Sequence, residues 1–295
     1  MAPAPWAGVF PSIPTAFARD GSLDLASQAA VARFAVDSGS HGLLCFGLAG
    51  EVFRLTPDER REALEAIVEA VAGRIPVLTG VGAESLHTSL ALARQARAAG
   101  ADGVVIPPPV TTRPTRSELM RYFAEIATAA ELPAMVQDAP EFLGVELGPE
   151  LVLGLARSCP EIGCVKLEAG AERIAEWVAQ AGGLPIFGGN AGLYMLDSLD
   201  CGAAGIAPGA DVADEIAAIH ALWHAGDADA ARRRFERVLP LLVFEVQGGI
   251  EHLNACTKHL LCRRGVLADS HMRAPARGLS DLGRALAEQK FDRLA

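Results

Sequence analysis

The stretch Ile162-Gly-Cys-Val-Lys-Leu-Glu-Ala-Gly170 is typical of a short buried strand, and it carries one lysine. Of the 26 basic residues, only Lys166, Lys258 and Lys290 are lysines. Arginine stays protonated near neutral pH, whereas desolvation in an apolar pocket lowers the pKa of an alkylammonium group. A neutral amine can attack a ketone and form an imine. The alternative is a lysine at a strand end whose amine reaches the surface.

The pattern around this strand repeats along the first 210 residues. Eight apolar, strand-like runs alternate with amphipathic segments that have helical spacing. Two of these segments begin with strong helix-start signals, one at Thr56-Pro-Asp-Glu and one at Thr115 with Glu118 three residues later. Such alternation implies parallel strands with right-handed crossovers. The predicted strands are Val9–Phe17, Gly42–Gly47, Ile75–Gly82, Gly103–Pro107, Pro133–Asp138, Ile162–Leu167, Pro185–Gly189 and Gly202–Ala207.

The order of strands and helices predicts an α/β fold, a (β/α)8 TIM barrel. A doubly wound open sheet is the competing arrangement, but no GxGxxG follows the first strand. After Asp211 the pattern changes to helices alone, at Val212–Ala225, Asp227–Phe244, Gly248–Arg264 and Ser280–Gln289. We therefore expect the barrel to occupy residues 1–225 and a C-terminal helical extension to occupy residues 226–295.

Composition narrows the classes of partner. A net charge of −10 and a pI near 5.2 argue against a nucleic-acid-binding surface. No apolar run reaches the ~18 residues of a membrane span, and the N-terminal residues lack the pattern of an export signal. The six cysteines form no CxxC pair and are expected to be free thiols in a cytoplasmic protein. His220 and His224 lack the glutamate of HExxH and a third ligand, so no metal site and no cofactor are expected.

The reactive groups of such a barrel are expected at the C-terminal ends of its strands. The glycine-rich turn Gly47-Leu48-Ala49-Gly50-Glu51 follows strand two, and glycine turns let backbone N–H groups approach an anion closely. The other candidates come from strands five to eight. They are Gln137, Asp138, Lys166, Glu168, Gly189, Asn190 and Ala207.

Four features follow one another along the chain: a GxxGE turn after strand two, one lysine on strand six, a Gly-Gly-Asn turn after strand seven and a helical C-terminal extension. This ordered set resembles the dihydrodipicolinate synthase / N-acetylneuraminate lyase family. The segment from Lys258 to Pro275 is also similar to the closing segment of that family. The resemblance implies a barrel that assembles as a tetramer of two dimers, in which the strand-six lysine, here Lys166, forms a Schiff base with pyruvate or another 2-oxo acid. It also implies that the turn from Gly47 to Glu51 holds the carboxylate of that acid.

The chain departs from this family at several positions. Leu48 and Ala49 stand where relatives have two hydroxyl residues, and Gln137 stands where relatives have the tyrosine that moves protons. Pro108 and Pro109 stand after strand four, where the synthase has its tyrosine relay. The arginine with which the synthase binds its aldehyde substrate aligns near Phe142. These departures argue against the synthase reaction and disfavour sialic acid cleavage by the usual proton path.

An imine mechanism also needs an acid/base group, and Gln137 cannot titrate. Asp138 and Glu168 are the candidates, because burial can favour protonation of a carboxyl group. Glu168 lies two residues from Lys166 and therefore on the same strand face, where it either relays protons or pairs with the ammonium and keeps it inert. Asp138 has the alternative of capping the next turn. Glu51 is expected to bind backbone N–H groups of the site loops.

The leading hypothesis is a Schiff-base-forming lyase, an aldolase, synthase or dehydratase that acts on pyruvate, a related 2-oxo acid or a 2-keto-3-deoxy acid. The second hypothesis is a catalytically impaired barrel that binds a small carboxylate. A homotetramer or homodimer is expected in either case.

Overall fold

The computed structural model describes residues 6–294. The N-terminal residues 1–5, on which the expectation of no export signal rests, lie outside the described part, as does Ala295. Eight parallel strands form one sheet in the order β1-β8-β7-β6-β5-β4-β3-β2. They are β1 Gly8–Val9, β2 Leu43–Cys45, β3 Val77–Gly80, β4 Gly103–Ile106, β5 Ala134–Asp138, β6 Ile162–Leu167, β7 Ile186–Ala191 and β8 Gly205–Pro208.

The sheet closes between its two end strands. Just after β1, the N–H of Ile13 donates to the carbonyl of Leu44 at 2.8 Å, and the N–H of Leu44 donates to Pro11 at 2.9 Å. Each of the eight predicted apolar runs overlaps one strand, so the (β/α)8 barrel is confirmed. A (β/α)8 barrel presents the C-terminal ends of its strands at one mouth, where side chains from different strands can converge.

The helices that cover the barrel also follow the sequence pattern. Both predicted start signals are capping boxes, Thr56 with Glu59 and Thr115 with Glu118. The helices are α1 Leu25–Asp37, α2 Pro57–Val71, α3 Leu86–Ala98, α4 Arg116–Ala130, α5 Pro140–Leu143, α6 Pro149–Ser158, α7 Ala171–Gln180, α8 Met195–Asp200, α9 Ala213–His224, α10 Ala228–Val246, α11 Gly249–Arg263 and α12 Asp281–Phe291. The short α5 was not predicted. No helix among residues 6–294 is long and apolar enough to cross a bilayer.

The barrel interior is filled by large apolar side chains set against glycines. Phe10 and Phe187 pack edge to face with ring centroids 5.2 Å apart. A side chain at Gly42 would collide with Phe10, and one at Gly205 would collide with Phe187. Interior side chains of successive strands, among them Met135 of β5, form one buried cluster below the mouth. The barrel is therefore a packed core that leaves space only near its C-terminal end.

The last three helices pack against one another, and α10 and α11 also reach the barrel mouth. Asn254 of α11 donates its side-chain N–H to the carbonyl of Leu48 at 3.1 Å, which ties α11 to the turn after β2. Behind this contact lie Asp211 and Glu245, both fully buried, here called the buried acid pair. Burial raises the pKa of Asp211 and raises that of Glu245 well above its ordinary value, with the neighbouring acid raising it further.

Candidate active site

A cavity with about 690 Å³ of empty space, part of it open to solvent, lies at the C-terminal mouth of the barrel. Its charged and amide side chains come from the ends of strands β5, β6 and β7, whereas its apolar lining comes from strand ends, loops and the extension alike. The lining residues are Ser12, Leu44, Cys45, Gly47, Leu48, Ala49, Val105, Gln137, Phe142, Lys166, Glu168, Asn190, Ala191, Ala207, Pro208, Val246, Gly249, Ile250 and Leu253.

Lys166 reaches this cavity from the penultimate position of β6. Lys166 is 9% exposed and Glu168 is 6% exposed. The Nζ of Lys166 lies 2.7 Å from Oε1 of Glu168. The two side chains share the inner strand face because they are two residues apart. Gln137 of β5 is the register partner of Lys166, so the amide also lines the cavity beside the amine. The amine thus has both an open space and a carboxylate next to it.

Glu168 is held by the neighbouring strand on its other oxygen. The backbone N–H of Asn190 donates to Oε2 of Glu168. A side chain at Gly189 would collide with the same carboxylate, so only glycine lets β7 approach this closely. Gly189 therefore lies behind Glu168 and is not on the cavity wall. The predicted Gly-Gly-Asn turn is in fact the end of β7 itself.

Asn190 offers a polar atom that the protein leaves free. Its residue is 7% exposed and lines the cavity, and its Oδ1 has no hydrogen-bond partner within residues 6–294. Asn190 and Ala191 both have positive φ, 51° and 54°, which for residues other than glycine costs about 1–3 kcal/mol each and is concentrated at functional sites. An unpaired buried amide is destabilising unless a ligand satisfies it.

The turn after β2 contributes backbone to the cavity. Gly47, Leu48 and Ala49 line it, and the N–H groups of Leu48 and Ala49 have no hydrogen-bond partner within the described part of the chain. These donors stand at the start of a short 3-10 turn that ends at Gly50. The turn can accept an anion through its backbone, although its side chains carry no hydroxyl.

Glu51 occupies a different place from the one expected. It is fully buried with φ 52°, and its carboxylate accepts from Arg54 at 2.6 Å and pairs with Lys258. Lys258 also donates to the carbonyl of His271 at 2.9 Å, and burial lowers its pKa while Glu51 opposes this shift. Gly50 and Glu51 therefore do not line the cavity; Glu51 binds two cationic side chains instead of backbone N–H groups and anchors the turn to α11.

Asp138 is also displaced from its predicted role. It is fully buried on the outer face of β5, because it follows the inward-facing Gln137 by one residue. Its Oδ1 accepts from the N–H of Leu147 at 3.2 Å, and Arg173 approaches Oδ2 at 3.6 Å. Burial raises its pKa, the direction expected, but the carboxyl cannot reach the amine of Lys166. Asp138 orders the loop before α6, which is close to its alternative reading as a cap.

Glu168 is thus the one carboxylate that lines the cavity within residues 6–294. Neither tyrosine is there: Tyr122 is buried in α4 with its hydroxyl on Ala83, and Tyr194 precedes α8 with 37% exposure. Burial raises the pKa of the Cys45 thiol to about 12, so this cavity residue stays protonated. No group of three or more potential metal ligands was found among residues 6–294.

Several cavity residues were not expected from the sequence. Ser12 enters the wall from the segment after β1, and Val246, Ile250 and Leu253 enter from the extension. Ser12 lies inside the predicted first strand Val9–Phe17, so its hydroxyl within that apolar run could have indicated it. No sequence signal separates the three apolar residues from others on α10 and α11, because their place depends on how those helices pack over the mouth.

Comparisons with known proteins agree with this architecture. Residues 5–290 match the sequence model described as the Dihydrodipicolinate synthetase family. An L-2-keto-3-deoxyarabonate dehydratase from Azospirillum brasilense is 34% identical over 276 residues, covering 91% of this chain and 88% of the relative. A dihydrodipicolinate synthase structure from Rhodopseudomonas palustris has a TM-score of 0.88 at 29% identity, with 98% of each chain covered. A prophage protein from E. coli K12, solved in complex with pyruvate, has a TM-score of 0.90 at 25% identity, covering 98% of this chain and 99% of that one.

Proposed function

The chain belongs to the dihydrodipicolinate synthetase family, and from that premise we propose that it is a Schiff-base-forming lyase that removes water from a 2-keto-3-deoxy sugar acid. Members of this family are lyases of the class I aldolase type, and the protein is an enzyme of that class. The observation that carries the proposal is the pairing of Lys166 with Glu168 at 2.7 Å beside an open cavity without a tyrosine. The synthase reaction is not the proposed activity.

The amine and the carboxylate are close enough to exchange a proton directly, with Nζ and Oε1 2.7 Å apart. Transfer of that proton from Lys166 to Glu168 leaves a neutral amine, which attacks the C2 carbonyl of the substrate and forms an imine with release of water. The substrate carboxylate then lies against the N–H groups of Leu48 and Ala49, and Asn190 and Gln137 are available to its hydroxyl groups. Pyruvate, which lacks a hydroxyl to lose, would stop at the imine.

Elimination needs a base for C3 and an acid for the hydroxyl at C4. As the imine forms, Glu168 gives the proton it received to the imine nitrogen and is again a carboxylate. This carboxylate takes a proton from C3, which the protonated imine has acidified, and passes it to the departing C4 hydroxyl, which leaves as water. Hydrolysis of the imine consumes one water and frees the amine. The net change is the loss of one water, and the same carboxyl group serves as base and acid. The Azospirillum brasilense relative is named as a dehydratase of such an acid, L-2-keto-3-deoxyarabonate.

A panel of 2-keto-3-deoxy aldonic acids tests the proposal, with products followed by mass spectrometry. We expect at least one acid to yield a product lighter by one water at a rate that saturates with substrate. Products of carbon–carbon cleavage in place of that product would contradict dehydration and favour an aldolase.

The second candidate is a barrel that binds a small carboxylate without turnover. The same 2.7 Å ion pair favours it, because an ammonium locked to Glu168 cannot attack a carbonyl. Absence of turnover and of any covalent adduct, together with calorimetric binding of 2-oxo acids, would select this candidate.

We also propose that the enzyme assembles as a homotetramer or homodimer in the cytoplasm. Phe53 is 55% exposed and Val110 is 38% exposed on loops at the barrel mouth, where a second copy could cover them. All six cysteines are free thiols, which fits a reducing compartment. Light scattering at micromolar concentration tests the assembly, and a monomer would contradict it.

A further inference from the structure

The charged and amide side chains of the cavity all come from the strand ends. Lys166, Glu168 and Asn190 lie at the strand ends, whereas the extension and the loop after β5 add only apolar side chains. Phe142 comes from α5, Val246 from the end of α10, and Ile250 and Leu253 from α11. A substrate joined to Lys166 through C2 therefore extends its far end toward an apolar wall.

The charges of the lining cancel one another. Lys166 and Glu168 are the only charged side chains that line the cavity within residues 6–294, and they pair with each other. The neighbouring arginines are engaged elsewhere: Arg54 binds Glu51 and Arg173 lies against Asp138. The turn after β2 offers backbone N–H groups for one carboxylate. Within residues 6–294, the side chains along this wall include no cation that could bind a second anion.

We propose, building on the proposed function, that the enzyme accepts 2-oxo acids with a single anionic group and an uncharged far end such as a methyl or hydroxymethyl group. A distal carboxylate or phosphate would be buried against Phe142 and Ile250 with no cationic side chain and no side-chain donor beside it, and an unpaired buried charge is strongly disfavoured. The apolar wall instead gains from contact with a methyl group. Phe142 is the determinant that a single substitution can test, because the four-residue α5 presents it at the cavity.

Two five-carbon acids isolate the far end. 2-Oxopentanoate and 2-oxoglutarate differ only in that a carboxylate replaces the terminal methyl group, and neither carries a hydroxyl to eliminate. Borohydride reduction of the wild-type enzyme with each acid, followed by intact mass spectrometry, measures adduct formation against acid concentration. We expect 2-oxopentanoate to be trapped at least about tenfold more efficiently than 2-oxoglutarate.

Variants assign the preference to the wall. Phe142→Arg places a cation at the far end and should raise trapping of 2-oxoglutarate relative to 2-oxopentanoate by at least about tenfold. Phe142→Leu, which keeps the wall apolar, and Leu282→Arg, which adds the same charge on the exposed face of α12, should keep the wild-type ratio. Equal trapping of the two acids by the wild type, or a ratio unchanged in a folded Phe142→Arg, would overturn the inference.

Failure of the imine chemistry is separable from failure of this inference. If neither acid gives an adduct, the proposed function fails, and calorimetry with the same two acids still decides the question of the wall. Tighter binding of 2-oxopentanoate by about tenfold supports the apolar far end. Equal binding, or tighter binding of 2-oxoglutarate, refutes it, and the wild-type comparison decides the matter if Phe142→Arg does not fold.

Discussion

Replacing Glu168 by glutamine separates imine formation from the steps that move protons. The variant keeps the volume of the side chain and an oxygen that can accept from the N–H of Asn190, so the strand geometry at β7 should persist. It removes the carboxylate that lies 2.7 Å from Nζ of Lys166. Amide groups neither take nor give protons near neutral pH, so the elimination loses its acid and its base together.

The expected loss follows from what a positioned acid/base group contributes. General acid–base catalysis is worth about 10²–10⁴-fold, which corresponds to about 2.7–5.5 kcal/mol of transition-state stabilisation. Because the 6% exposed carboxylate is shielded from water, bulk solvent replaces it poorly, and we expect a fall in kcat near the upper half of that range. Adduct formation with pyruvate should fall much less, since Lys166 remains in place and a buried amine without an anionic partner is more readily neutral.

The assay compares kcat for water loss with the yield of borohydride-trapped adduct, using the active acid from the panel. Glu172→Gln on the exposed side of α7 is the control with the same chemical change, and it should behave as wild type. Turnover of Glu168→Gln within a factor of about ten of wild type would refute the assignment of the proton carrier. A parallel loss of adduct and turnover would refute the separation of the two steps.

Three further substitutions test the surroundings of the site. Lys258→Met should lower the free energy of unfolding, measured by urea denaturation, by about 3 kcal/mol, because it leaves the buried Glu51 with one cation fewer. The control Lys290→Met should cost less than about 1 kcal/mol, and similar costs for the two variants would contradict the anchoring role of the Glu51–Lys258 pair. Gly189→Ala should lower kcat about 100-fold, because the added methyl group displaces the Glu168 carboxylate. Gly170→Ala, whose added methyl group meets open space, should leave kcat unchanged. A normal kcat for Gly189→Ala would refute the close approach of β7 to Glu168. Because the pKa of Glu245 is raised in the folded state, its contribution to the free energy of unfolding is fully present below the ordinary carboxyl pKa of 4.5 and is lost as pH rises toward the raised pKa. Glu245→Gln should therefore make the free energy of unfolding depend less on pH between pH 5 and 8, and an unchanged slope would contradict this.

The fold follows from the sequence because its signals are local. The apolar runs, the two capping boxes and the strand parity that puts Lys166 and Glu168 on one face all depend on neighbours within a few residues. The inward position of Gln137 follows from the alignment of β5 with β6. The same parity rule places Asp138 on the outer face once Gln137 points inward, so this misassignment could have been avoided from the sequence.

The rest of the site depends on contacts between distant parts of the chain. Glu51 meets Lys258 across 207 positions of sequence, and no local pattern pairs them. The apolar wall exists because α10 and α11 pack over the mouth, and the buried acid pair exists because the same packing brings Glu245 to Asp211. Gly189 looks like any loop glycine until Glu168 is seen to occupy the space that a side chain would need.

The most direct test of the account is covalent capture of the amine on strand β6. Wild-type enzyme reduced with borohydride in the presence of pyruvate should gain one adduct per chain, and peptide mapping should place it on Lys166, while Lys166→Arg should gain none. An unmodified wild-type chain, or an adduct that persists in Lys166→Arg on Lys258 or Lys290, would contradict the claim that this enzyme works through an imine at Lys166.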